Sequence, residues 1–391
     1  MKKILVLNHF PTVIPPTSGG TLRYFHIYEE LSKFYDVTLL SQTYGHKQGV
    51  FQYSQTFREY KVPKDPYYYN KVVQKLQHNE LTYEFAMIIQ TELANYPTLY
   101  KKLYDSLYPL CHLIVHESPF LVEVDSYIRK DHKPRVYNSH NHEYMLADQI
   151  WRNEKARNYL PALFKLEKKL VKCADLVFST SETEKDHFIK MYKANPAKVK
   201  IAPNGIDPYG WLLRKEKYNQ KPLAFFIGAD YPPNIESVDF ILHHLADKCT
   251  EINFVIAGGC CVPFSHFTTK PNVKLLGRVR NKQKIKLFSE SDLAINPMFT
   301  GAGVNLKTLE YLSAGVPLFS TLCGVRGLDL TNMKHYIHTE REDFAYKLNR
   351  YSNDPNLLQK VATDGQHYIN KNYSWNSIVE KMKIEIDALL S

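Results

Sequence analysis

Asn296-Pro297-Met298-Phe299-Thr300-Gly301-Ala302-Gly303-Val304-Asn305-Leu306-Lys307-Thr308-Leu309-Glu310 runs on through Tyr311-Leu312-Ser313-Ala314-Gly315-Val316-Pro317 and decides the reading of this 391-residue chain. Leu293–Asn296 reads as a short buried strand, the glycines as a loop, and the residues from about Val304 as an opening helix. Strand, glycine loop and helix in that order are the repeating unit of a parallel α/β sheet. Gly301 and Gly303 let the backbone approach an anion closely, and the first amides of the helix present about half a positive charge toward it. The segment is built to seat a diphosphate. Lys307 falls in the first turn, within reach of a phosphate oxygen, and Glu310, three residues on, shares its face. A carboxylate there can accept both hydroxyls of a ribose. A solvated Lys/Glu pair has the same spacing, but the Gly-x-Gly before it and the Gly315-Val316-Pro317 strand entry after it favour the ligand.

Outward from this stretch the same rhythm recurs. Strands are predicted at Lys3–Asn8, Asp36–Ser41, His112–His116, Arg135–Asn138, Asp175–Thr180 and Val199–Ala202, and again at Leu223–Gly228, Ile252–Gly258, Val273–Leu276, Leu293–Asn296 and Val316–Ser320. The fold class is therefore α/β, with two Rossmann-like doubly wound domains. Their expected extents are 1–202 and 223–373, with a Pro- and Gly-containing join over 203–222. A helix over 374–391, capped by Ser374, is expected to pack back on the first domain. Tyr67–Leu110, rich in Tyr and Lys, reads as a helical elaboration of that domain. In open α/β sheets ligands bind outside the carboxyl ends of the strands. Gly19 and Gly20, after the first strand, open a second such helix near Thr21, and His116 and His140 each end a strand.

Composition narrows the classes. Fifty Lys and Arg against 40 Asp and Glu leave +10. Residues 1–200 carry 28 basic and 21 acidic side chains, so +7 of that surplus lies in the first half. No apolar run is long enough to span a membrane, and Asn8 and His9 break the Ile4–Leu7 run that mimics a leader. A cytoplasmic protein is expected. Six cysteines without Cys-x-x-Cys spacing imply no metal cluster. The scattered basic residues form no recognised nucleic-acid module.

Taken together, these motifs resemble the GT-B retaining glycosyltransferases of family 4, also called group 1. The stretch at 296–317 is similar to their nucleotide-sugar signature, and other elements follow in order: Ser18-Gly19-Gly20, Ser139-His140-Asn141-His142-Glu143, Ala174-Asp175-Leu176-Val177 with Ser181-Glu182, Pro203-Asn204-Gly205-Ile206-Asp207, Phe226-Ile227-Gly228 with Pro233-Asn234, Ile256-Ala257-Gly258-Gly259 and Leu276-Gly277-Arg278-Val279. The resemblance implies two sheets facing across a cleft, with His140, Lys307 and Glu310 as catalytic residues. It implies a donor site of Gly19, Gly20, Asn234, Gly277, Arg278, Val279, Gly301, Ala302, Gly303, Val304 and Asn305, the base being held by main-chain groups around residues 277–279. On the acceptor side stand His116, Glu117 and Glu143; Glu117 would orient the acceptor hydroxyl, or Glu143 would brace His140. Departures are as specific. The first acid of the family's Glu-x7-Glu pair is missing, Asn305 stands where the subgroup has Arg, and Gly228-Ala229-Asp230-Tyr231 lacks a basic phosphate pair. Lys307, with Arg326 as a substitute, is then the cation for the diphosphate.

The implied reaction moves a sugar from a nucleotide-diphosphate sugar, UDP favoured over GDP, to a hydroxyl of a cell-envelope, polysaccharide or lipid-linked glycan. It proceeds with retention. The chain contains no Asp-x-Asp, so neither a metal nor any other cofactor is expected. The surplus charge of the first half and Tyr100-Lys101-Lys102-Leu103-Tyr104 suggest docking on an anionic membrane. A catalytically silent subunit that stabilises a partner transferase is the rival reading.

Overall fold

The computed structural model describes every residue except 17, 44–47, 78–81, 213–219, 267–269 and 302–303. The chain forms two compact units, Met1–Pro203 with Val379–Ser391, and Asn204–Ile378.

In the first unit the strands are β1 (Lys3–Asn8), β2 (Asp36–Thr43), β3 (Gly49–Ser54), β4 (Phe57–Pro63), β5 (Leu113–His116), β6 (Arg135–Asn138), β7 (Leu176–Ser179) and β8 (Val199–Ile201). They make one eight-stranded sheet in the order β3-β4-β2-β1-β5-β6-β7-β8, parallel except for the β3–β4 hairpin. The hairpin is absent from the sequence reading. β3 lies on the sheet edge and alternates exposed and half-buried residues, so it shows no apolar run. The chain order reverses between β1 and β5, and the loops after β1, β5 and β6 therefore share one edge. The helix after β1 spans Gly19–Leu31, two residues earlier than predicted, because Ser18 and Thr21 form a reciprocal capping box.

Tyr67–Leu110 resolves into helices Pro66–Leu76, Tyr83–Leu93 and Leu99–Leu107 among the described residues, followed by a 3-10 turn at Tyr108–Leu110. Tyr100 and Tyr104 are fully buried, packed with Leu5, Leu40 and Ile114. Lys101 bonds Asp105 and Ser126. That helix gives its rings to the core, so the aromatic-basic docking surface expected there does not form.

The second unit carries β9 (Leu223–Ile227), β10 (Asn253–Ala257), β11 (Val273–Leu275), β12 (Leu293–Asn296), β13 (Leu318–Ser320) and β14 (Ile337–His338). The sheet is parallel throughout, in the order β11-β10-β9-β12-β13-β14. Its strands are short continuous apolar runs such as Phe225-Phe226 and Leu293–Ile295, buried on both faces by helices. The order reverses between β9 and β12. The helices that follow these two strands, Pro232–Phe240 and Leu306–Ser313, therefore begin beside one another. Gly258 makes the close approach next to them possible: its φ is +102°, and a Cβ there would lie 2.1 Å from the Gly228 carbonyl oxygen.

The helix Trp375–Leu390 begins after Ser374, whose Oγ accepts from the Ser377 amide at 3.2 Å. Ile378, Met382 and Ile386 are buried. Within the first unit its C-terminal part is tied by Tyr35 Oη, which donates to Asp387 at 2.7 Å, and by a Lys200–Glu385 pair.

Candidate functional site

In the second unit, β12 delivers the chain to Gly301, whose φ of +121° is closed to ordinary side chains. A Cβ there would also fall 3.0 Å from Arg326 Nη2. Ala302 and Gly303 lie outside the described residues. Asn305, buried and extended, is the N-cap, so the helix starts at Leu306 rather than at Val304. The Thr308 amide donates to the Asn305 carbonyl at 3.0 Å, while the amides of Leu306 and Lys307 have no acceptor within the helix and point out of its end. Asn305 makes no side-chain cap bond.

Lys307 extends from this first turn to donate to Asn234 Oδ1 at 2.5 Å, with Met298 Sδ at 3.7 Å and the Phe226 ring centroid at 4.4 Å. Asn234 is oriented by its own amide, which donates to the Ala229 carbonyl at 3.0 Å. All three neighbours of the ammonium are neutral. Burial lowers the Lys307 pKa to about 7, Arg326 acts in the same direction, and Cys260 and Glu310 oppose it. Glu310 does not pair with Lys307. It accepts instead from Lys284 Nζ at 2.7 Å, in the neighbouring helix Asn281–Glu290. Arg326 spends one nitrogen on the Cys323 carbonyl at 2.7 Å while its Nη2 lies over Gly301. Gly277 has a φ of +65° and its carbonyl accepts from the Gly258 amide; Arg278 is exposed, and Val279 packs on the core. At residues 277–279 the backbone, rather than a buried side chain, is what remains available to a ligand.

In the first unit, His140 follows β6 and its Nε2 meets Glu117 Oε2 at 2.6 Å. Its Nδ1 sits 3.7 Å from where a Cβ of Gly20 would be, at the start of the helix after β1, and Phe10 packs edge-on against the ring. Gly19 and Gly20 are the first two residues of that helix, so their amides are also without helical acceptors. Glu117 is fully buried. It accepts from Tyr28 Oη and from Asn138 Nδ2 at 2.8 Å besides His140. Asn138 in turn accepts from Arg23, itself buried, whose other nitrogen donates to the carbonyls of Ala202 and Pro203. Glu117 therefore orients His140, and not an acceptor hydroxyl.

Two further expectations change. His116 is fully buried, its Nε2 3.3 Å from Asp125, which also binds Arg135. Its ring belongs to this core network rather than to an acceptor surface. Glu143 does not brace His140. It opens the helix Glu143–Ile150, whose first two amides donate to Glu167, and burial with the nearby Glu167 pushes its own carboxyl up to about 8. His9 is a basic group the sequence reading passed over. Burial, with His140 and Lys64 adding to it, lowers its pKa to about 3, and its Nδ1 meets Ser118 Oγ at 3.0 Å. Lys284 was also missed, since only the packing of two helices brings it to Glu310.

A family model described as glycosyl transferases group 1 matches residues 221–354, and one described as glycosyltransferase family 4 matches residues 18–209. No curated protein matches in sequence. Among solved structures, sucrose-phosphate synthase from Thermosynechococcus elongatus is similar with a TM-score of 0.73 at 13% identity, over 100% of this chain and 99% of that one. Anabaena HepE, in complex with UDP and glucose, gives 0.67 at 13% identity over 99% of this chain and 100% of its own. An E. coli trehalose-6-phosphate structure bound with UDP-2-fluoro glucose gives 0.68 at 14%, over 99% of both chains. At these identities the likeness establishes the fold, which is GT-B.

Proposed function

The chain belongs to the group 1 glycosyltransferases, and from that premise we propose that it transfers a sugar from a nucleotide-diphosphate sugar to a hydroxyl of a glycan with retention. One observation carries the reading of the donor end. Lys307 holds an ammonium against three neutral groups at the mouth of a helix, and among the described residues no carboxylate pairs with it. Such a charge is matched when a diphosphate arrives. UDP is favoured as the nucleotide because HepE and the E. coli structure were obtained with UDP or a UDP-sugar.

In this reading Lys307, Arg326 and the first amides of the helix Leu306–Ser313 stabilise the negative charge that develops on the leaving diphosphate. Because that charge comes from side chains and amides, and the sequence has no Asp-x-Asp, the transfer needs no metal. The bond from the anomeric carbon to the phosphate oxygen breaks, and the acceptor oxygen bonds to the same face. The acceptor's proton passes to an oxygen of the departing diphosphate. His140 keeps a proton on Nε2 for Glu117, which leaves Nδ1 to accept from a hydroxyl of the sugar. Glu310 accepts from the ribose hydroxyls. The acceptor is a cell-envelope, polysaccharide or lipid-linked glycan, reached from the cytoplasmic side. No helix among the described residues is long and apolar enough to cross a membrane.

The experiment is a thermal-shift panel of UDP, GDP, ADP and dTDP followed by release of nucleotide from their sugars. Stabilisation by UDP, with turnover lost in Lys307→Ala and Glu310→Ala, supports the reading. Turnover that persists in both variants overturns the site, and binding without turnover toward any hydroxyl compound indicates the silent subunit.

A further inference from the structure

We propose that Lys284 is a positioning residue for the nucleoside end of the donor site: by holding the Glu310 carboxylate it sets the preference for ribose over deoxyribose. The inference rests on the reading of Glu310 as the acceptor of ribose hydroxyls.

The contact is direct, with Nζ 2.7 Å from Oε1, and both side chains keep only about a fifth of their surface exposed, 23% and 20%. An exposed ion pair between two free side chains contributes little, because each loses rotamer freedom to make it. Here the two backbones are already fixed. Phe288, one turn after Lys284 on the same face of its helix, packs its ring 5.3 Å from that of Tyr311, the residue after Glu310. Phe288 also packs on Phe225 and Trp211, and Tyr311 Oη accepts from the Ile227 amide at 2.9 Å. The helix that carries Lys284 is thus locked to the helix that carries Glu310, at the end of β9.

The position along the chain points to the nucleoside. Lys284 lies five residues beyond Val279, on the helix that follows the main-chain segment Gly277-Arg278-Val279, and Val279 packs in the same cluster as Phe288 and Tyr311. Lys307, three residues before Glu310, marks the phosphate end. Left alone, the Glu310 carboxylate would sample several rotamers and be drawn toward the Lys307 and Arg326 charges. Paired with Lys284, one oxygen is anchored and the carboxylate plane is held toward the nucleoside side. A hydrogen bond to an ionised carboxylate is worth more than a neutral one, and the gain depends on the acceptor being in place beforehand.

The test is calorimetric binding of UDP and 2′-deoxy-UDP to the full-length protein, its Lys284→Met, Lys284→Arg and Glu310→Gln variants, and the double variant. The wild type is expected to prefer UDP by about tenfold or more. Lys284→Met should lose most of that ratio, Lys284→Arg should keep it, and adding Lys284→Met to Glu310→Gln should change nothing further. For turnover, KM for the donor should rise in Lys284→Met while kcat holds. An unchanged UDP to deoxy-UDP ratio in a Lys284→Met protein that still binds UDP overturns this inference alone. A wild type that binds neither nucleotide overturns both it and the functional reading.

Discussion

His140 lies just after a strand and Lys307 in the first turn of a helix, and the two sit in opposite electrostatic conditions. Around His140 the charged groups meet polar partners inside the first unit: Glu117 takes hydrogen bonds from His140, Asn138 and Tyr28, and Arg23 spends its two terminal nitrogens on Asn138 and two carbonyls. Around Lys307 the partners are an amide oxygen, a thioether and a ring. The first arrangement stabilises the empty protein and fixes a geometry. The second costs stability, and in the proposed function an arriving diphosphate recovers that cost. Buried hydrogen-bonded networks give rigidity, whereas the unmatched charge of Lys307 is the group the proposed diphosphate would meet.

The contrast breaks most sharply when each centre is removed. Lys307→Ala should lower kcat for nucleotide-sugar turnover by roughly two to three orders of magnitude, as when a preorganised donor is lost at a developing anion, with the fold intact by circular dichroism. Glu117→Ala should instead reduce unfolding free energy by about 3 kcal/mol in denaturant titration, because it strands His140, Asn138 and Tyr28 without their acceptor and removes the negative charge near the buried Arg23. If Lys307→Ala destabilised as much as Glu117→Ala, the comparison would fail.

A smaller effect sharpens it through pH. The folded-state pKa of Lys307 lies near 7, below its unfolded value of 10.5, so between those values the unfolded chain binds the extra proton. Wild-type stability should therefore rise relative to Lys307→Met as pH goes from about 7 to 10.5. The advantage of the methionine variant should be largest below pH 7, where the buried ammonium is charged in the empty protein, and should vanish at the alkaline end. UDP affinity should fall above pH 7, since binding then requires proton uptake. A flat difference across this range would show that Lys307 is not the group under strain.

The smallest expected change in activity is at Glu143. Its carboxyl titrates near 8 rather than 4.5, so the folded state keeps a proton that the unfolded chain releases. The stability advantage of Glu143→Gln should open as pH rises from about 4.5 to 8 and stay level above it. Turnover at neutral pH should be unaffected, because Glu143 does not touch His140.

The placement of Lys307 and Glu310 on one helix was legible because each lies a set number of residues beyond a glycine loop, and a helix converts that count into a face. His140 was legible as the residue after a short apolar strand. Glu117 was legible as a candidate but not in its task, since the sequence does not say that Tyr28 and Asn138 reach the same carboxylate from different elements. The β3–β4 hairpin was hidden because an edge strand exposed on alternate residues carries no apolar run. Tyr100 and Tyr104 misled, because a Tyr/Lys-rich helix reads as an outer surface until the sheet that buries its rings is in place.

Sequence alone determined what depends on local order: two α/β sheets, their glycine loops, the capping of the helices and the place of Lys307 in the first turn after a glycine loop. Only the tertiary structure decided the pairings, such as Glu310 with Lys284, Lys307 with Asn234, and Glu117 with His140, and which of two histidines faced the core. Backbone geometry follows from neighbours a few residues apart. Charge compensation follows from which elements pack together, and those lie from 23 residues apart, for His140 and Glu117, to 73, for Lys307 and Asn234.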